Sequence, residues 1–174
     1  MKSREGSHRE GGSLAWILGL IVLVALGGFQ VSPLAQWGAV RVDVLLAASM
    51  AWAALAGPRR GLVFGMASGI VQDFLVGGGV TFTALRGLLG FLAGTVRPVL
   101  NLRQAVFIVP LVAAATVAQE ALLALLHRNW PHFVAIWLPA VVSNALVSWP
   151  LYLAFRAIWR PWRAAGASPA PRRT

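Results

Sequence analysis

Eight polar residues stand out from an apolar background: Arg41, Asp43, Gln72, Asp73, Arg86, Gln119, Glu120 and Asn144. Three of them are carboxylic acids, and such groups serve as general acids and bases, as cation ligands or as ion-pair partners. Acid–base catalysis needs two groups poised at different protonation states. Asp73 and Glu120 are the one candidate pair, and Arg86 nearby holds Asp73 ionised. Nucleophilic catalysis needs a base beside a Ser, Thr or Cys. The chain has no cysteine, and its histidines are His8, His127 and His132, all outside the apolar segments. Ser68 lies between Ala67 and Gly69, but Met66 and Ile70 stand where a nucleophile elbow places glycines. No His-Glu-x-x-His and no P-loop occur. These absences predict a protein that is not an enzyme, with no cofactor and no metal.

The elements that must position these residues follow from composition. Of 174 residues, 58% are hydrophobic and 11% charged, with five acids in all. Soluble domains average about 45–50% apolar and about 25% charged. A membrane span needs about 20 apolar residues, with a range of about 17–25, and six candidates can be drawn, at 14–31, 42–57, 61–76, 82–97, 104–126 and 133–156, of which the second and third are short. Gly57-Pro58-Arg59-Arg60, Gly77-Gly78-Gly79, the stretch 97–103 and the stretch 127–132 separate them. Pro110, Pro139 and Pro150 fall within spans, where a proline tends to kink a helix.

The net charge of +10 has two readings, nucleic acid or membrane topology. The basic residues lie between apolar segments and not along one face, which excludes nucleic acid. With the N-terminus inside, Lys2, Arg4, Arg9, Arg59, Arg60, Arg97, Arg103, Arg156, Arg160, Arg163, Arg172 and Arg173 are inner, and only Arg41 and Arg128 are outer. That asymmetry is the positive-inside pattern. Trp37 and Trp130 fall near the outer interface, and Trp16, Trp159 and Trp162 near the inner one. The expected architecture is an all-α, six-helix polytopic inner-membrane protein with both termini cytoplasmic. Residues 1–13 form a basic tail, 14–160 the transmembrane domain, and 161–174 a basic Pro/Ala-rich tail beside anionic lipid headgroups.

Spacing then places the polar residues. Gly61, Gly65, Gly69 and Asp73 recur every four residues and share a helix face, as do Arg86, Gly90 and Gly94, with Thr83 and Gly87 beside them. Small residues at this spacing let helix backbones approach closely in lipid. The two segments form an antiparallel hairpin through the triple glycine, which sets Asp73 and Arg86 at matched depth in the outer half. The sequence predicts an ion pair between them, with Glu120 or Gln72 as a further partner. The eight polar residues form an outer-leaflet cluster. It is either a structural network or a pocket that a ligand or partner enters.

The stretch 61–98, GLVFGMASGIVQDFLVGGGVTFTALRGLLGFLAGTVRP, resembles the central signature of the rod shape-determining protein MreD family. The resemblance rests on Gly65, Gly69, Asp73, the turn at 77–79, and Gly90-Phe91-Leu92-Ala93-Gly94 followed by Arg97. Where many members have a Leu-Gly pair after the turn, this chain has Val80-Thr81. The resemblance implies a non-enzymatic scaffold of the bacterial cell-elongation machinery. It implies MreC, a single-span periplasmic protein, as partner, with MreB, RodA and its transpeptidase partner nearby. It also implies a fold similar to the six-helix substrate-binding component of energy-coupling-factor transporters. The alternative function is therefore a substrate-binding transporter subunit with an outer-facing polar pocket.

Overall fold

The computed structural model of the chain describes residues 5–32, 36–37, 40–98 and 105–166, with side chains at 17–32, 42–98 and 106–158. Among the described residues there are six α-helices: α1 (Glu5–Gln30), α2 (Val44–Ala56), α3 (Pro58–Leu75), α4 (Thr81–Val96), α5 (Ile108–His127) and α6 (Trp130–Gly166). A two-residue antiparallel ladder, β1 (Gln36–Trp37) with β2 (Val40–Arg41), precedes α2, and a 3-10 turn at Ala105–Phe107 leads into α5. The fold is all-helical apart from that ladder.

Helix α2 is the axis of the molecule. Its sequence, VLLAASMAWAALA, is rich in strong helix formers and apolar on every side. A helix of that kind is stable only when surrounded. Accordingly, every residue from Val44 to Leu55 is buried, and all five other helices pack on it. Gly57, at φ +90°, ends α2 and begins α3. That left-handed backbone suits glycine, and Pro58 follows at the first position of α3, where a missing N–H costs nothing. Trp52 of α2 stacks on Phe64 of α3 at 4.7 Å, and Phe155 of α6 meets both rings edge-on, at 5.7 and 6.2 Å.

Helices α3 and α4 form the tightest pair. A Cβ at Gly61 would overlap the Gly90 carbonyl, one at Gly65 the Arg86 carbonyl, and one at Gly69 the Phe82 carbonyl. Gly94 lies equally close to the backbone of Pro58. Gly87 differs, for the close approach of its Cβ would be to the Met66 side chain, 2.6 Å from Cγ, with the nearest backbone atom, the Leu62 carbonyl oxygen, at 3.7 Å. Helices α5 and α6 make the second hairpin, with Arg128 in a left-handed conformation at the turn.

The surface is apolar and the interior carries the polar groups. Phe74, Val80 and Leu146 are 83%, 74% and 71% exposed, while Asp73, Arg86, Thr116, Gln119 and Asn144 are buried. Large apolar side chains thus face outward, while a polar cluster sits within an otherwise apolar core. The segments Ile108–His127 and Trp130–Ile158 are long and apolar enough to cross a membrane. Ile17–Gln30, Val44–Ala56 and Thr81–Val96 are apolar but shorter.

Several boundaries differ from the sequence reading. Helix α1 begins at Glu5, inside the expected tail 1–13, and α6 runs through 161 to Gly166. Residues 167–174 of the C-terminal tail, Arg103, and the first four residues lie outside the described residues. Pro110 falls in the first turn of α5, where no intrahelical hydrogen bond is lost, so a mid-helix kink is not expected there.

Candidate functional site

The site is built around the N-terminus of α2. The first N–H groups of any helix lack intrahelical partners, and here the helix start is packed inside the protein. Three side chains accept from it. Asn144 Oδ1 of α6 accepts from the Asp43 N–H at 2.7 Å, Gln30 Oε1 of α1 from the Leu45 N–H at 3.2 Å, and Asp43 Oδ1 itself from the Leu46 N–H at 2.9 Å. Asp43 is thus the N-cap residue, for which a carboxylate suits both the free donors and the helix dipole.

Its second oxygen carries the charge pairing. Arg86 of α4, with no solvent exposure, forms a salt bridge from Nη2 to Asp43 Oδ2. Gln119 of α5 donates from Nε2 to the same oxygen at 2.9 Å and accepts from Arg86 Nε at 3.2 Å. Arg86 Nη1 points at the Ser68 carbonyl of α3, 3.5 Å away. The guanidinium carbon lies 5.3 Å from the centre of the Phe82 ring, within cation–π range. Asn144 also donates to Thr116 Oγ1 at 3.1 Å, and that hydroxyl donates to the Val112 carbonyl at 2.9 Å. Helices α1, α4, α5 and α6 therefore each place a group on the first turn of α2 or on its cap, and α3 joins them indirectly, through the Ser68 carbonyl on Arg86.

The expected pair of Asp73 with Arg86 is replaced by two separate arrangements. Asp73 is a cap supplied by one helix to another. Its Oδ1 accepts from the Phe82 N–H at 3.0 Å, and its Oδ2 from the Thr83 N–H and hydroxyl at 2.9 and 2.6 Å. Val80, at the N-cap of α4, has no capping side chain of its own. The reason lies in the glycine stripe. Gly65 and Gly69 bring the α3 backbone against the carbonyls of Arg86 and Phe82, which leaves no space in that seam for two facing side chains. The arginine therefore extends out of the hairpin toward α2, and Asp73 meets the unpaired donors at the start of α4.

The remaining expected members divide. Gln72 accepts from Gln30 Nε2 at 2.8 Å and joins the site through α1. Glu120 is half-buried beside Gln119, and no salt bridge to it is found among the described residues. Neither it nor Gln72 pairs with Asp73. Arg41 has its backbone in β2, and its side chain lies outside the described ones. Gln30 and Thr116 belong to the site but were not singled out by sequence, and Ser68, weighed there only as a nucleophile, contributes its backbone carbonyl. Gln30 is legible in retrospect, as the lone amide at the end of an apolar segment.

Among the described residues, no side chain of this cluster has a buried nitrogen or oxygen without a partner. No group of three His, Cys, Asp or Glu residues there is arranged to hold a metal ion. The chemistry on view is mutual neutralisation and hydrogen bonding. Comparison with protein-family models, with curated proteins and with solved structures finds no match for this chain.

Proposed function

We propose that this chain is a non-enzymatic, six-span scaffold of the bacterial inner membrane, acting in cell elongation as the resemblance to the MreD family implies. The observation that carries the reading is the convergence of six helices on one internally satisfied polar cluster beneath an apolar exterior. Polar groups used up in this way stiffen a bundle and leave its outer faces to do the binding. In the proposed topology both termini are cytoplasmic, and α1 to α6 cross in alternation. Helix α2, about 20 Å long at about 1.5 Å per residue, is too short to cross alone. Its start is sheltered by protein instead, which is where a helix end at membrane depth is tolerated.

The partners on this reading are MreC, and then MreB, RodA and its transpeptidase partner. The test is purification from the native cell in mild detergent. A single-span periplasmic protein should come down with the chain, and depletion of the chain should turn rod-shaped cells round. Isolation with an ATPase module and a bound small molecule, with shape unaffected, would replace the scaffold by the transporter subunit.

A further inference from the structure

The two hairpins present apolar faces of unequal height. Helices α3 and α4 pack chiefly on each other and on α2, α5 and α6 do the same, and the two hairpins touch each other little, so each has an outer face of its own. On the first side the inner limit is set by charge: Arg59 and Arg60 are exposed at the start of α3, and Arg97 follows the end of α4. The outer limit is the Gly77-Gly78-Gly79 loop. Between them residues 61–76 rise about 24 Å at about 1.5 Å per residue. The exposed apolar residues Leu62, Val63, Met66, Ile70 and Phe74 all lie in that band. On the other side, α6 carries no Asp, Glu, Lys or Arg from Trp130 to Phe155, a rise of about 39 Å. A typical hydrocarbon core is about 30 Å thick. A long helix meets that thickness by tilting. A short hairpin zipped backbone to backbone cannot lengthen, and tilting shortens it further.

We propose that the α3–α4 face is a bilayer-thinning surface whose preferred neighbours are phospholipids with short acyl chains, their headgroup phosphates held at Arg59. The inference rests on the membrane placement proposed above. It adds a lipid preference confined to one face. A thinned annulus there would also favour partners whose own spans are short.

The test reconstitutes the full chain in vesicles of dimyristoleoyl, dioleoyl or dierucoyl phosphatidylcholine. The unfolding midpoint should be highest in the shortest lipid and fall stepwise as the chains lengthen. Because the chain has no cysteine, a spin label at Phe74→Cys reports one site. Phe74 is exposed, so the substitution should leave the fold intact. In dioleoyl vesicles this label should sit near the headgroups, and dierucoyl lipid should not move it deeper. A label at Leu146→Cys on α6 should sink deeper as the bilayer thickens. A midpoint that peaks in dierucoyl lipid or does not vary, or a Phe74 label that sinks with bilayer thickness, overturns the proposal. Failure to float with any of the vesicles would instead overturn the membrane placement itself.

Discussion

Arg86 shows what one residue can decide in this protein. A buried guanidinium is costly unless paired and hydrogen-bonded, and here it meets Asp43, Gln119 and a carbonyl at once. The prediction is specific to its partner. Asp43→Asn keeps the cap on Leu46 but leaves Arg86 uncompensated, and Arg86→Met leaves Asp43 uncompensated. Each should destabilise the protein by about 3–5 kcal/mol, as removal of one member of a buried pair does. The double variant should lose much less than the sum. Asp73→Asn combined with Arg86→Met should couple more weakly than Asp43 with Arg86, because Asp73 and Arg86 form no salt bridge with each other and share only Phe82. Unfolding midpoints in detergent measure both cycles. Strong coupling of Asp73 with Arg86, without coupling of Asp43, would contradict the site described above. At this scale the membership of the site was largely legible in sequence, because polar side chains are conspicuous among apolar ones. The pairing was not. Depth along a helix can be counted from residue spacing, but the direction a long side chain takes depends on how closely the neighbouring backbone approaches.

At the scale of elements, the hairpin α3–α4 is where sequence spacing translated most directly into geometry. A four-residue glycine repeat specifies a face, and that face is the one in contact. The stripe is not uniform, however, and its two kinds of glycine predict different outcomes. Gly65→Ala sets a Cβ against the Arg86 carbonyl, which is backbone and cannot rotate away. The hairpin must part, at a cost of about 1–3 kcal/mol or more for overpacking. Gly87→Ala instead meets the Met66 side chain at Cγ, which must shift, and no backbone atom closer than 3.7 Å. The gain of up to about 1 kcal/mol of helix propensity offsets part of that shift, so it should cost less than Gly65→Ala. Thermal unfolding of the two single variants separates them, and equal effects would mean that the backbone contact is not what holds the hairpin. Other elements were less legible. The β1–β2 ladder has only two residues per strand, too few for any periodic pattern. The depth at which α2 begins is set by Gln30, at the end of the preceding helix, and by Asn144, from a helix distant in sequence.

For the molecule as a whole, six apolar segments and a lopsided charge distribution were readable at once, whereas among the described residues only two helices are both long and apolar enough for a lone span. On the membrane placement proposed above, the shortfall has a physical origin. Helices that shelter one another need not each satisfy the bilayer, and α2 is enclosed by the other five. Whether the chain crosses six times therefore turns on the ends of the short helices, and single cysteines can locate them in a chain that has none of its own. Val80→Cys, at the start of α4, and Asn129→Cys, between α5 and α6, are both exposed positions. In intact spheroplasts both should react with a membrane-impermeant maleimide. Arg59→Cys, exposed at the opposite end of α3, should react only after the membrane is permeabilised. Modification of Arg59→Cys from outside would reverse the orientation or add a crossing. Protection of Val80→Cys together with labelling of Asn129→Cys would leave α5 and α6 as spans and withdraw the α3–α4 hairpin from the outer surface. The six-span arrangement requires all three results, because Val80 and Arg59 bracket the helices whose length alone does not carry them across.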